Sequence, residues 1–139
     1  MSDQEEVLFL LENLAAAEYY HEFFRENGTK DFLFIRPSGN PIDADGFEKM
    51  TLSGDVIDNY SEIIDIEKLE FLSDISAMCV FIMREKFEYK GISNDDVAIY
   101  TSILKKINNQ WMFSFIHRSS GGVDMSSWSR LKQSVKKRI

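Results

Sequence analysis

The tripeptide His117-Arg118-Ser119 is the sharpest local feature with chemistry to offer. An arginine presents five N–H donors in a rigid fork, which suits a carboxylate. Because neighbouring residues on a strand point to opposite faces, His117 and Arg118 cannot both line the same side of a sheet. Two interpretations of Arg118 are open: it binds an anion inside a pocket, or it pairs with a surface acid at the end of a strand.

A second arginine and three residues of a predicted helix are the other candidates. Arg84 interrupts an apolar strand. It either joins Arg118 in one anion-binding pocket or marks the point at which that strand leaves the core. Tyr19, Tyr20 and His21 lie late on the helix, where their polar groups either contact a ligand or complete the packing of the helix.

Several kinds of site are excluded by counting residues. His21 and His117 are the only 2 histidines, so a zinc site of three histidines cannot form. Cys79 is the only cysteine, and its place in an apolar run indicates a small buried side chain rather than a nucleophile. There is no glycine-rich phosphate loop, cysteine pair or nucleophile elbow. The sequence therefore predicts neither a metal nor another cofactor.

The first half of the chain predicts helices around one short strand. Ser2 and Glu5 have capping-box spacing, and apolar residues then recur every three or four positions. This pattern predicts one long helix over about residues 3–26. A short strand over 32–36 and a loop over 37–41 should follow, because the loop contains two prolines and a glycine. Asp43 then caps a short helix.

The second half predicts long strands, over about residues 55–71, 77–89, 97–107 and 111–119. Asn108-Asn109 tolerates the positive φ angles of a two-residue turn, so the last two strands should form an antiparallel hairpin. Long strands in a small domain twist and coil strongly. The resulting sheet has one concave face, and a helix lying across that face leaves a pocket at the open end.

Two stretches and the order of elements resemble a known superfamily. Residues 31–41 read DFLFIRPSGNP, and residues 111–121 read WMFSFIHRSSG. The first resembles the segment after the first helix of uncharacterised NTF2-like proteins. The second resembles the last strand of the association domain of calcium/calmodulin-dependent kinase II. This resemblance to the NTF2-like superfamily implies an α+β fold over residues 1–121, a cone in which a long N-terminal helix packs on a strongly curved antiparallel sheet.

The resemblance also implies roles for particular residues. In the proteins that it resembles, the arginine of the His-Arg-Ser motif can line the pocket and attract carboxylates, so Arg118 is the expected anchor. Ketosteroid isomerase, a member of this superfamily, uses a helix tyrosine as oxyanion donor with an aspartate base. Tyr19 or Tyr20 would fill the first role. No aspartate matches the base, since Asp43 and Asp45 are explained more simply as helix-capping residues.

Charge is divided unevenly along the chain. The net charge is −7, and the last 15 residues hold five cations and no acid: Arg130, Lys132, Lys136, Lys137 and Arg138. The remainder therefore carries −12, which disfavours nucleic acid as a partner. Trp128, Leu131, Val135 and Ile139 follow helical spacing. Residues 122–139 are therefore predicted to form a basic amphipathic helix, either docked on the acidic body or binding an acidic partner or membrane surface.

No apolar run reaches the length of about 20 residues needed for a membrane span. The acidic N-terminus is unlike a secretory signal, so a cytoplasmic location is expected. Apolar residues on the outer face of the sheet would favour a homodimer formed through that face. The candidates for that face are Ile99, Ile103 and Phe113.

Two functions are consistent with these observations. The first is a module that binds a small apolar or carboxylate-bearing molecule in the concave pocket. Its expected ligand contacts are Arg118, Arg84, Tyr19, Tyr20 and His117. The alternative is a metal-free enzyme of the SnoaL-like type, an isomerase, cyclase or hydratase acting on an apolar substrate. A titratable base in the pocket would distinguish them, and the sequence shows no convincing one, which favours binding.

Overall fold

Two helices replace the single long helix that the periodicity predicts. In the computed structural model, which describes residues 1–123, α1 spans Asp3–Ala16 and α2 spans Tyr20–Asn27. Ser2 caps α1 by accepting a hydrogen bond from the Glu5 backbone N–H, as the capping-box spacing predicts. The chain becomes extended at Ala17 (φ −64°, ψ 132°).

The prediction of one unbroken helix is wrong because tertiary packing overrides local helical preference here. Ala17 packs on the core at the break, so the apolar period continues although the helix does not. After the break, Phe23 and Phe24 enter the core from α2. Residues 124–139, which carry most of the predicted basic helix, lie outside the described residues.

Two paired strands and a third helix follow. The strand β1 spans Gly28–Ile35, β2 spans Pro41–Ile42, and α3 spans Ala44–Leu52. Asp43 caps α3, as predicted, and its carboxylate accepts a hydrogen bond from the Gly46 N–H at 2.8 Å. No helix within residues 1–123 is long and apolar enough to cross a membrane.

Four long strands complete the sheet. They are β3 (Val56–Ser73), β4 (Ser76–Tyr89), β5 (Ile92–Ile107) and β6 (Gln110–Arg118). The order across the sheet is β2-β1-β6-β5-β4-β3. Neighbouring strands are antiparallel, with the exception of β1 and β6, which are parallel. This one parallel pair differs from the antiparallel sheet that the sequence predicts. Most of the chain separates these two strands, so no hairpin turn dictates their relative direction.

The hairpin between β5 and β6 is confirmed. Ile107 pairs with Gln110 around a two-residue turn. Asn108 and Asn109 have φ angles of 51° and 64°, the left-handed values that such a turn requires at both central positions.

The sheet curls around the helices, and its concave face carries the core. The ladder between β3 and β4 contains four register shifts, and bulges of this kind increase local twist. Phe113, proposed for the outer face, is instead fully buried in the core, because the register of β6 turns it toward the helices. Ile99 and Ile103 alternate with core residues of β5 and therefore lie on the convex face.

Candidate functional site

An apolar cavity of about 420 Å³ lies where five strand ends meet α2 and α3. The strands β3 and β5 begin there, and β1, β4 and β6 end there. Most of the wall therefore comes from strand ends at one end of the sheet. The apolar part of that wall comes from Phe34, Phe47, Met50, Val56, Phe87 and Tyr89.

A cluster of polar side chains, most of which line this cavity, surrounds the buried Arg118. We call Tyr20, Glu85, Asp96, Tyr100 and Arg118 the Arg118 cluster. Arg118 is only 7% exposed, and its Nε donates to the Tyr100 hydroxyl at 3.0 Å. The same Nε lies 3.4 Å from Glu85 Oε1, and Nη2 donates to Asp96 Oδ2 at 2.8 Å. The hydroxyl of Tyr20 donates to Glu85 Oε2 at 3.1 Å.

Burial shapes the acid–base properties of this cluster. Desolvation raises the pKa of Glu85, and the nearby charge of Arg118 opposes that rise without cancelling it. Desolvation, together with the charge of Glu85, holds the pKa of the Tyr20 phenol well above its ordinary value. Desolvation also raises the pKa of Asp58, which lies on the cavity wall at the start of β3.

Arg118 and Tyr20 are the two predicted site residues that line the cavity. The expectation that Arg118 anchors the carboxylate of a ligand is wrong, because Glu85 and Asp96 of this chain already pair with its guanidinium. The sequence did not reveal these partners, since both acids lie far from Arg118 along the chain and meet it only through the pairing of β4, β5 and β6.

The other three predicted residues lie elsewhere. Arg84 is on the convex face, where its Nε and Nη2 donate to the two carboxylate oxygens of Asp95 at 2.8 and 2.7 Å. His117 is exposed because it alternates with the inward-facing Arg118. Tyr19 is 39% exposed, and its ring centroid lies 5.6 Å from that of His21.

Four charged residues of the cavity wall were not predicted from the sequence: Glu85, Asp96, Asp58 and Arg36. One signal was available for Glu85: if Arg84 faces solvent, strand alternation turns Glu85 toward the core. Arg36 directly precedes the predicted loop, and nothing in the local sequence sets it apart from a surface arginine. Neither Asp58 nor Asp96 carries a local signal that separates it from the many other acids of this chain.

The described residues offer few kinds of reactive group for chemistry in the cavity. Cys79 is fully buried, and desolvation raises its pKa to about 12, so the thiol is a packing group, as its apolar surroundings indicate. Within residues 1–123, no group of three His, Cys, Asp or Glu side chains is placed to hold a metal ion. Among the described residues, the cavity wall offers three carboxyl groups, two phenols and two guanidinium groups.

The cone of helices on a curved sheet defines the class of this protein as NTF2-like. A crystal structure of an NTF2-like protein of unknown function from Prochlorococcus marinus is 50% identical and has a TM-score of 0.85. The match covers 92% of this chain and 100% of that one. A family described as "Protein of unknown function (DUF3804)" matches residues 2–129. This chain therefore belongs to the DUF3804 family.

More distant structures share the fold. A putative calcium/calmodulin-dependent kinase II association domain from Exiguobacterium sibiricum is 16% identical with a TM-score of 0.74, covering 89% of this chain and 98% of its own. A ketosteroid isomerase-like protein from Erwinia carotovora atroseptica is 14% identical with a TM-score of 0.66, covering 86% and 94%. Among curated proteins, none matches this chain.

The raised pKa of Glu85 makes a prediction about stability. A carboxyl whose folded-state pKa is raised contributes stability that is fully present below its ordinary value of 4.5 and is lost as the pH rises through the folded-state value. The Glu85→Gln variant lacks this titration. Relative to the variant, the wild-type chain should therefore lose unfolding free energy above pH 4.5, by about 1.4 kcal/mol per unit of pKa shift. Urea denaturation of both chains from pH 4.5 to 8 measures this loss, and a wild-type chain that keeps or gains unfolding free energy relative to the variant as the pH rises would contradict it.

Proposed function

We propose that this chain binds a small apolar molecule in the cavity at the strand ends. The observation that carries the proposal is the lining of the cavity, whose surface is mostly apolar and comes from side chains that include Phe34, Phe47, Met50 and Phe87. A volume of about 420 Å³ falls in the usual range for small-molecule sites, and a mostly apolar lining with a few placed polar groups is their usual form.

The internal pairing of Arg118 supports this choice of ligand. Since Glu85 and Asp96 compensate the guanidinium, an incoming molecule does not have to supply a counter-charge. Affinity then comes mainly from removing apolar surface from water, at about 25 cal/mol per Å² before the losses that accompany association. The Arg118 cluster adds a fixed polar surface against which a hydroxyl or carbonyl group of the ligand can be oriented.

A second candidate function rests on Glu85. The sequence lacks a convincing base, but the structure has a carboxyl group with a raised pKa on the cavity wall, next to the Tyr20 hydroxyl. Such a group can remove a proton from carbon beside a carbonyl and return it two carbons away. This chemistry would make the chain a metal-free isomerase, and the fold that it shares with the Erwinia ketosteroid isomerase-like protein is consistent with that function.

We also propose that two copies of the chain associate through the convex face of the sheet. Val80, Ile99, Ile103 and Phe115 lie on that face and are half-buried in the single chain. Leu33, paired with Phe115, is 37% exposed. A row of apolar side chains of this kind usually marks an interface, and the Exiguobacterium protein is named as an association domain.

The binding proposal predicts that N-phenyl-1-naphthylamine, a neutral aromatic probe, fluoresces on entering the cavity. Ser120 is exposed at the cavity wall, so the indole of Ser120→Trp should occupy the mouth and weaken binding at least about tenfold. Leu52→Trp is the matched control, because Leu52 is 78% exposed and is not among the residues that line the cavity. Titration of the three chains measures the effect. Absence of binding to the wild-type chain, or equal binding by all three, would overturn the proposal.

The isomerase candidate predicts that the chain converts a β,γ-unsaturated ketone to its conjugated isomer, followed by ultraviolet absorbance. Glu85→Gln should reduce the rate at least about a hundredfold, since it removes the base. Glu88→Gln is the control, because Glu88 lies on the same strand but is not part of the cavity wall. No rate above buffer for the wild-type chain would exclude this reaction.

The dimer proposal predicts that the wild-type chain in solution has about twice its 16.1 kDa mass. Ile103→Glu places an unpaired charge in the proposed interface, which should shift the mass toward that of the single chain. Light scattering at micromolar concentration measures both, with Leu52→Glu as the control on a different surface. A wild-type mass near 16.1 kDa would contradict association through this face.

A further inference from the structure

We infer that the ligand of the cavity carries an anionic oxygen-acid group and that Arg36, rather than Arg118, binds that group. This inference rests on the proposed binding function and adds to it the chemical class of the ligand. It starts from the contrast between two arginines that line the same cavity, one of which is compensated by carboxylates of this chain and one of which is not.

A tight loop fixes the backbone of Arg36 at the cavity. The Arg36 N–H donates to the Asn40 carbonyl at 3.1 Å, and the Gly39 N–H donates to the Arg36 carbonyl at 2.8 Å. Gly39 has a φ of +86°, which side chains rarely tolerate, so the closure of this loop favours glycine there. The segment that follows β1 therefore holds Arg36 in one place beside α3.

The side chain of Arg36 retains most of its binding capacity. Its Nε donates to the Asn40 carbonyl at 3.3 Å, and Nη1 contacts the sulfur of Met50 at 3.7 Å. These contacts occupy two of the five N–H donors of a guanidinium. Among the described residues, Arg36 forms no salt bridge with a carboxylate, whereas Arg84 forms one and Arg25 and Arg118 each form two.

A neighbouring hydroxyl strengthens the site. Ser38 also lines the cavity, and its oxygen accepts hydrogen bonds from the Asn40 backbone N–H at 3.3 Å and side-chain amide at 3.1 Å. Because that oxygen acts as an acceptor in both contacts, its own O–H is available to donate. The loop thus presents a guanidinium and a hydroxyl donor to the same cavity, a combination that suits a carboxylate, sulfonate or phosphate ester.

Acids of β3 and β4, which β5 and β6 separate from β1 in the sheet, favour one orientation of such a ligand. Asp58 lies near the start of β3, which is separated from β1 by β6, β5 and β4 in the sheet. Glu85 also lines the cavity and comes from β4, the neighbour of β3 in the sheet. Repulsion from these carboxyl groups would direct an anionic head toward Arg36, while the apolar body of the ligand occupies the aromatic wall between them.

Two probes with one skeleton test the inference. N-phenyl-1-naphthylamine is neutral, and 8-anilino-1-naphthalenesulfonate adds a sulfonate to the same three rings. Arg36→Gln should weaken binding of the sulfonate about tenfold and change binding of the neutral probe less than about twofold, since only the charged contact is lost. Arg36→Lys, which keeps the charge without the fork, should give an intermediate loss. Arg84→Gln, the same exchange on the convex face, should leave both affinities unchanged.

The outcomes separate the two proposals. If both probes bind, and Arg36→Gln weakens both equally or neither, the inference is overturned while the binding function stands. If neither probe binds the wild-type chain, or if Ser120→Trp leaves binding of both intact, the cavity is not the binding site and both proposals fail. Urea denaturation of each variant shows whether it is folded. If Arg36→Gln is not folded, Arg36→Lys takes its place in the comparison of the two probes.

Discussion

Burying the guanidinium of Arg118 imposes a constraint on three strands at once. The residue ends β6, its partners Asp96 and Tyr100 come from β5, and Glu85 comes from β4. An uncompensated charge in this position would destabilise the fold by several kcal/mol. The strand ends must therefore keep their register where the cavity forms. Gly121 contributes to this arrangement, because its lack of a Cβ lets the chain after β6 pass closely over Asp96.

Compensation inside the fold also determines what the cavity can recognise. With Arg118 satisfied, the polar side of the cavity is a fixed arrangement of hydrogen bonds rather than an open positive charge. The aromatic wall then provides most of the surface available to a ligand. Arg36, which is not paired with a carboxylate within residues 1–123, provides a charged contact separate from that arrangement. Apolar binding and anion recognition are thus assigned to different parts of one site.

Local chemistry predicted the fold better than the site. The Asn108-Asn109 turn and the caps of α1 and α3 depend on neighbouring residues, so the sequence was sufficient to place them. The break between α1 and α2 was not predictable from the apolar period, which continues through it. Arg84 faces away from the cavity, and Arg118 meets acids 33 and 22 positions before it. Both facts depend on strand register, which the sequence pattern did not determine.

A double-mutant cycle between Arg118 and Glu85 measures the compensation directly. The unfolding free energies of the wild-type chain, Arg118→Met, Glu85→Gln and the double variant are compared in urea at pH 7. Directly interacting groups of this kind typically couple by about 0.5–3 kcal/mol. Glu85→Gln should be more favourable in the Arg118→Met chain than in the wild-type chain, by at least about 1 kcal/mol, because it then removes a buried carboxyl group that has lost its partner. Equal effects of Glu85→Gln in both chains would show that Glu85 does not compensate Arg118.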